Sequence, residues 1–189
     1  MLQIISSIID KSYYRLIDYA LMRCDVFTFH VPNYNKICVT EKNKECYPEY
    51  DVGYVKTDES NDDFIIYKNN VASKIEPLQK SFIHNYYDVE YMGSIFGYES
   101  EITLVDFNEE AYGFLKATGD LYNWKYPHMP EDLCFFSKGQ CWLRSIAHEK
   151  LCFIYTDDDL EIQVIKKIGL KFIEMPSEAI PALRYTLKY

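Results

Sequence analysis

Glu131-Asp132 and His148-Glu149 are the residues whose types and spacing could do chemistry in this sequence, and Arg144 lies between them. A carboxylate within reach of an imidazole makes a general acid/base pair. His148 with an acid from Glu131, Asp132 or Glu149 would therefore serve a small hydrolase. A structural reading competes with it. Arg144 stands alone in an apolar run, a buried unpaired charge is very costly, and Glu131 is the nearest carboxylate to neutralise it. His148-Glu149 is then a polar turn. No nucleophile motif, glycine-rich phosphate loop or HExxH accompanies these residues, so the structural reading is the stronger. Arg144 is also a candidate binding residue, together with Trp124 and Tyr126 in the aromatic stretch upstream.

Two hairpins must bring these groups together. The apolar runs Leu133–Phe136 and Cys141–Ala147 flank Gly139, which supplies the positive φ of a short turn. Centring that turn on Lys138-Gly139 pairs Phe135 with Trp142, Cys134 with Leu143 and Leu133 with Arg144, and sets Asp132 opposite Ser145. A second reversal at His148-Glu149 pairs Trp142 with Tyr155, Arg144 with Phe153 and Ser145 with Cys152. Residues 133–155 then form a three-stranded meander that is apolar on both faces, which predicts cover on both sides.

Elsewhere, Met1 to about Cys24 carries Ile5, Ile9, Tyr13, Leu16, Ala20 and Met22 at helical spacing. Asp10, Lys11, Arg15 and Asp18 make that helix amphipathic and exclude a membrane span. Val26–Val31 reads as a strand ended by Pro32, and Lys36–Val39, Val52–Val55 and Phe64–Tyr67 as short strands. Pro77 near the start of a second periodic segment predicts a helix from about Glu76 to Tyr87. Glu101–Phe107 reads as a strand, followed by a helix capped by Asn108 and closed by Gly119. Thr156 or Asp157 caps a last helix with Leu160, Val164, Ile165 and Ile168 as its buried stripe, ended by Gly169 before a strand at Leu170–Glu174. With no internal repeat and no linker, residues 1–189 read as one α+β domain with an antiparallel sheet and several packing helices.

At 189 residues and 48% hydrophobic content the chain can bury a substantial core. Its net charge of −9 argues against nucleic-acid binding, which depends on clustered Lys and Arg, and makes a basic protein the expected charged partner. Met1–Asp10 lacks the basic region and small-residue cleavage site of a secretion signal, so the 6 cysteines are expected to be reduced, in a cytosol. Cys134, Cys141 and Cys152 are spaced C-x6-C and C-x10-C with no C-x2-C, so neither a metal nor a cofactor is expected.

The runs LYNW, PEDLCFF and WLRSIAHE, with the opening KSYYRLIDYALMRCD, resemble a family of uncharacterised proteins from Firmicutes-type bacteria. Some of its members are labelled stage III sporulation proteins. The resemblance covers the N-terminal helix and Leu121–Glu149, and it implies no activity and no site residues. Acidity, aromatic richness and the lack of a catalytic signature point to a cytoplasmic, non-enzymatic binding protein, similar in character to the small acidic immunity proteins that neutralise basic toxins. The alternative is the small hydrolase built on His148. Thiol counting under denaturing, non-reducing conditions should find all 6 cysteines reactive in freshly purified protein, and a count of about four or fewer would contradict the reduced state.

Overall fold

Phe27, Phe29 and Val31 alternate along a strand of 13 residues, Val26–Cys38, and the rest of the fold is laid against them. The computed structural model describes residues 1–38, 55–57, 62–92, 96–176 and 187. The strands are β1 (Leu2–Ile4), β2 (Val26–Cys38), β3 (Val55–Thr57), β4 (Phe82–Met92), β5 (Phe96–Asp106), β6 (Glu131–Ser137), β7 (Gln140–Ile146), β8 (Leu151–Ile154) and β9 (Phe172–Glu174). They form a single sheet in the order β4-β5-β2-β6-β7-β8-β1-β9, with β3 paired to the far end of β2. Every pairing is antiparallel.

The helices are α1 (Asp10–Arg23), α2 (Asp62–Ile75), α3 (Glu109–Thr118) and α4 (Asp159–Ile168). All pack on the Phe27 face of the sheet. Leu16 and Ala20 of α1, Val71 of α2, Leu115 of α3 and Ile165 of α4 join Phe29, Phe135, Leu143 and Ile154 in one continuous core. On the opposite face Leu104, Cys134, Phe136 and Cys141 pack with Leu187, whose N–H donates to the Gly139 carbonyl at 3.2 Å. The meander is thus covered on both sides there, which is why it needs no polar face. The architecture is the α+β fold expected.

Local signals placed several elements correctly. Asn108 caps α3 by accepting from Ala111 N–H at 3.0 Å, and Gly119 ends that helix at φ 69°. Gly169 ends α4 at φ 100°. The second meander hairpin has the expected register, with Arg144 opposite Phe153 and Ser145 opposite Cys152.

The first hairpin departs from expectation. Its turn is at Lys138-Gly139, but beyond Phe136–Cys141 the ladder skips a residue, so Phe135 faces Leu143 and Cys134 faces Arg144. The extra residue is Trp142, a bulge in β7. Its indole N–H donates to Glu161 Oε1 of α4 at 2.9 Å, a tertiary bond that takes the side chain out of the ladder. Arg144 consequently lies on the Cys134 face and not beside Leu133.

Other differences have similar causes. Leu2 and Ile4 belong to a strand because β8 and β9 flank it, and the exposed Ile5 and Ile9 precede α1, which begins only at Asp10. β2 runs through Pro32, which follows the last β6 pair, His30 with Glu131, so its missing N–H breaks no bond on that side. Residues 62–75 are helical, with Tyr67, Val71 and Ile75 buried at four-residue spacing. Pro77 opens a short 3-10 turn, and the expected helix to Tyr87 is β4, drawn out by pairing with β5. Asp158 caps α4, leaving Leu160 exposed and Glu161 buried. The strands expected at Lys36–Val39 and Val52–Val55 lie partly outside the described residues.

Glu161 is the most connected of these unexpected residues. One carboxylate oxygen accepts from Trp142 Nε1 at 2.9 Å, Arg23 Nε at 3.1 Å and the Tyr19 hydroxyl at 3.2 Å, tying α4 to β7 and α1. Burial and the Glu161 charge push the Tyr19 hydroxyl up to about 12. Glu161→Ala leaves a buried indole N–H without an acceptor and should cost roughly 2–4 kcal/mol in urea unfolding. Glu161→Gln keeps an acceptor and should cost less than half of that. Wild-type stability in Glu161→Ala would show that the three donors find water instead.

Candidate functional site

The site is assembled at the start of β6. Residues 124–132 close on themselves, because Asp132 N–H donates to the Trp124 carbonyl at 3.3 Å and Tyr126 N–H donates to Glu131 Oε1 at 3.3 Å. Asp132 is left-handed at φ 53°, a conformation that Asp tolerates better than most residues. A left-handed residue at a strand end breaks the alternation of side chains, so the neighbouring Glu131 and Asp132 carboxylates converge where a regular strand would send them apart. Both are buried, at 3% and 5% exposure.

Across the meander, β7 ends in a 3-10 turn at Ala147–Glu149 followed by Lys150, left-handed at φ 56°. Ala147 N–H donates to Asp132 Oδ1 at 2.7 Å and so fixes the turn against the carboxylates. The exposed His148 is thereby delivered to them: one ligand atom from each of Glu131, Asp132 and His148 lies within 4.8 Å of the other two. His148 Nε2 also stands 3.7 Å from Glu149 Oε1.

Tyrosines line the other side. The Tyr34 hydroxyl donates a very short hydrogen bond to Glu131, and Tyr67 donates to the Met129 carbonyl at 3.2 Å. Tyr126 packs edge-on to both rings, at 5.3 Å from Tyr34 and 4.8 Å from Tyr67. Burial, with the Glu131 charge second, raises the Tyr34 and Tyr67 hydroxyls far above the ordinary tyrosine range, so both remain protonated donors.

The structure therefore unites Glu131, Asp132, His148 and Glu149 and separates the other candidates. Trp124 is wholly buried against Phe29 and Phe114, a packing residue with no surface to offer a ligand. Tyr126 is exposed at the rim of the site. Arg144 is half-buried between Cys134 and Phe153 with its Nε enclosed, while Glu131 is engaged by Tyr34 and Tyr126. Tyr34 and Tyr67 carried no local signal in the sequence, lying on β2 and α2 far from the meander.

Chemically, the arrangement offers an acid, a base and two phenolic donors. The hydrogen-bonding partners of the carboxylates named above include no Ser, Thr or Cys side chain. Three of the described cysteines do not compensate. Burial raises the Cys24 and Cys152 thiols, and Cys134 is raised by its hydrogen bond with Cys141 and then by burial, which makes all three poor nucleophiles at neutral pH.

Asp132→Ala leaves the Ala147 amide without its acceptor, at about 1–3 kcal/mol, and adds about 1 kcal/mol of left-handed strain. A clear fall in melting temperature is expected. Asp132→Asn keeps the oxygen and the backbone preference and should lie near wild type, as should His148→Ala on its exposed turn. Equal destabilisation by the Ala and Asn variants would mean that the charge, and not the hydrogen bond, holds the turn. Comparison of the chain with protein-family models, with curated proteins and with solved structures finds no match.

Proposed function

We propose that the protein is a cytoplasmic, non-enzymatic binding protein for a basic protein partner, similar in character to small acidic immunity proteins. The observation that carries this reading is the sheet edge at β4. This strand of 11 residues pairs only with β5 among the described residues and exposes Ile83 and Tyr87 at 52% and 64%. Long edge strands with exposed apolar side chains invite another chain, and folds usually blunt them with lysine, proline or a bulge. Here the exposed stretch beyond the bulge at Phe82/His84 contains no lysine, and Glu101 lies across the ladder from Tyr87. A net charge of −9 favours a basic occupant and speeds its encounter. No helix among the described residues is long and apolar enough to cross a membrane.

A second reading, a small hydrolase using His148 with Glu131, Asp132 or Glu149, is favoured by one observation, the approach of the first three within 4.8 Å. One experiment separates the two. The tagged chain expressed in its native cell should co-purify with a stoichiometric basic protein that raised salt releases, and the Ile83→Lys/Tyr87→Lys double variant should lose it. Purification of the wild type alone, or equal retention by the double variant, contradicts the binding reading. A hydrolytic activity lost in His148→Ala and kept in the double variant would establish the second.

A further inference from the structure

We propose that Glu131, Asp132 and His148 form a binding site for one divalent transition-metal ion. This goes beyond either functional reading and stands without them. Two carboxylate oxygens and an imidazole nitrogen are a donor set that suits borderline cations such as Zn²⁺ or Co²⁺ better than Mg²⁺ or Ca²⁺, which prefer oxygen throughout.

The geometry is close to what an ion requires. Ligands about 2.0–2.2 Å from one ion stand roughly 3–4 Å from each other. The three ligand atoms already lie within 4.8 Å of one another, and the exposed His148 is free to rotate the remaining distance. The carboxylates are buried and oriented before any ion arrives: Tyr34 and Tyr126 N–H hold Glu131, and Ala147 N–H holds Asp132 at 2.7 Å. These neutral donors aim the oxygens, as outer groups do around metal centres. Glu149 Oε1, 3.7 Å from His148 Nε2, adds a further negative charge beside the imidazole. Entry is from the His148 side, where the turn meets solvent. Three protein ligands leave at least one position for water.

The cysteine spacing that argues against a metal does not bear on these ligands, none of which is a cysteine. These ligands are separated by most of a hairpin and meet through the left-handed turn at Asp132 and its bond to Ala147.

Titration of the full chain with Co²⁺, followed by visible absorption, tests the site. The wild type should bind one Co²⁺ per chain with a weak d–d band, and Zn²⁺ should displace it and raise the melting temperature. His148→Gln should keep the fold and the free-protein melting temperature but lose both the band and the Zn²⁺-dependent shift. Glu149→Gln removes a nearby negative charge and should weaken binding less than His148→Gln does. Absence of a stoichiometric band in the wild type, an unchanged titration in His148→Gln, or a strong near-ultraviolet thiolate band would each overturn the assignment, the last by placing the ion on cysteine.

Discussion

The bond from Ala147 N–H to the Asp132 carboxylate joins the two ends of the meander, and the site depends on it. Without it the 3-10 turn at Ala147–Glu149 would be an exposed connection between β7 and β8, and His148 would sample solvent. With it, the turn is fastened to the start of β6, where a single left-handed residue directs two carboxylates to one side. The arrangement is economical in sequence. One residue, Asp132, supplies the unusual backbone, the acceptor for the turn and a member of the acidic pair.

The same device recurs on the helix side. Glu161 is a buried carboxylate that holds donors from three elements, one of them the indole of Trp142 at the β7 bulge. The bulge moves Arg144 to the Cys134 face, away from the core beneath the helices. Both carboxylates therefore act through hydrogen bonds that fix backbone geometry, which a buried acid can do when neighbouring donors satisfy it. The large apolar core then stabilises a sheet whose register these bonds help to select.

How much was legible follows from the range of each cause. Asn108, Gly119, Gly139 and Gly169 act within a few residues, and the elements they punctuate were readable. The Trp142 bulge was not, because the partner of its indole, Glu161, lies on a helix later in the chain. Residues 62–92 were misread because Tyr67, Val71 and Ile75 carry a helix that starts earlier than Pro77 suggested, while the β character of 82–92 is supplied by β5. At the site, the residue types Glu131, Asp132, His148 and Glu149 could be named from the sequence. Their convergence could not, since it turns on one φ angle, and Tyr34 and Tyr67 join from distant elements.

The central claim is that a buried carboxylate pins the turn that carries His148. Native-state amide exchange at Ala147, resolved by NMR, addresses it directly. The account predicts that this amide, despite lying in a three-residue turn, exchanges as slowly as those of the β6 and β7 core, through near-global unfolding. Exchange at the rate of the neighbouring exposed amides of His148 and Glu149 would show a loose turn and contradict it.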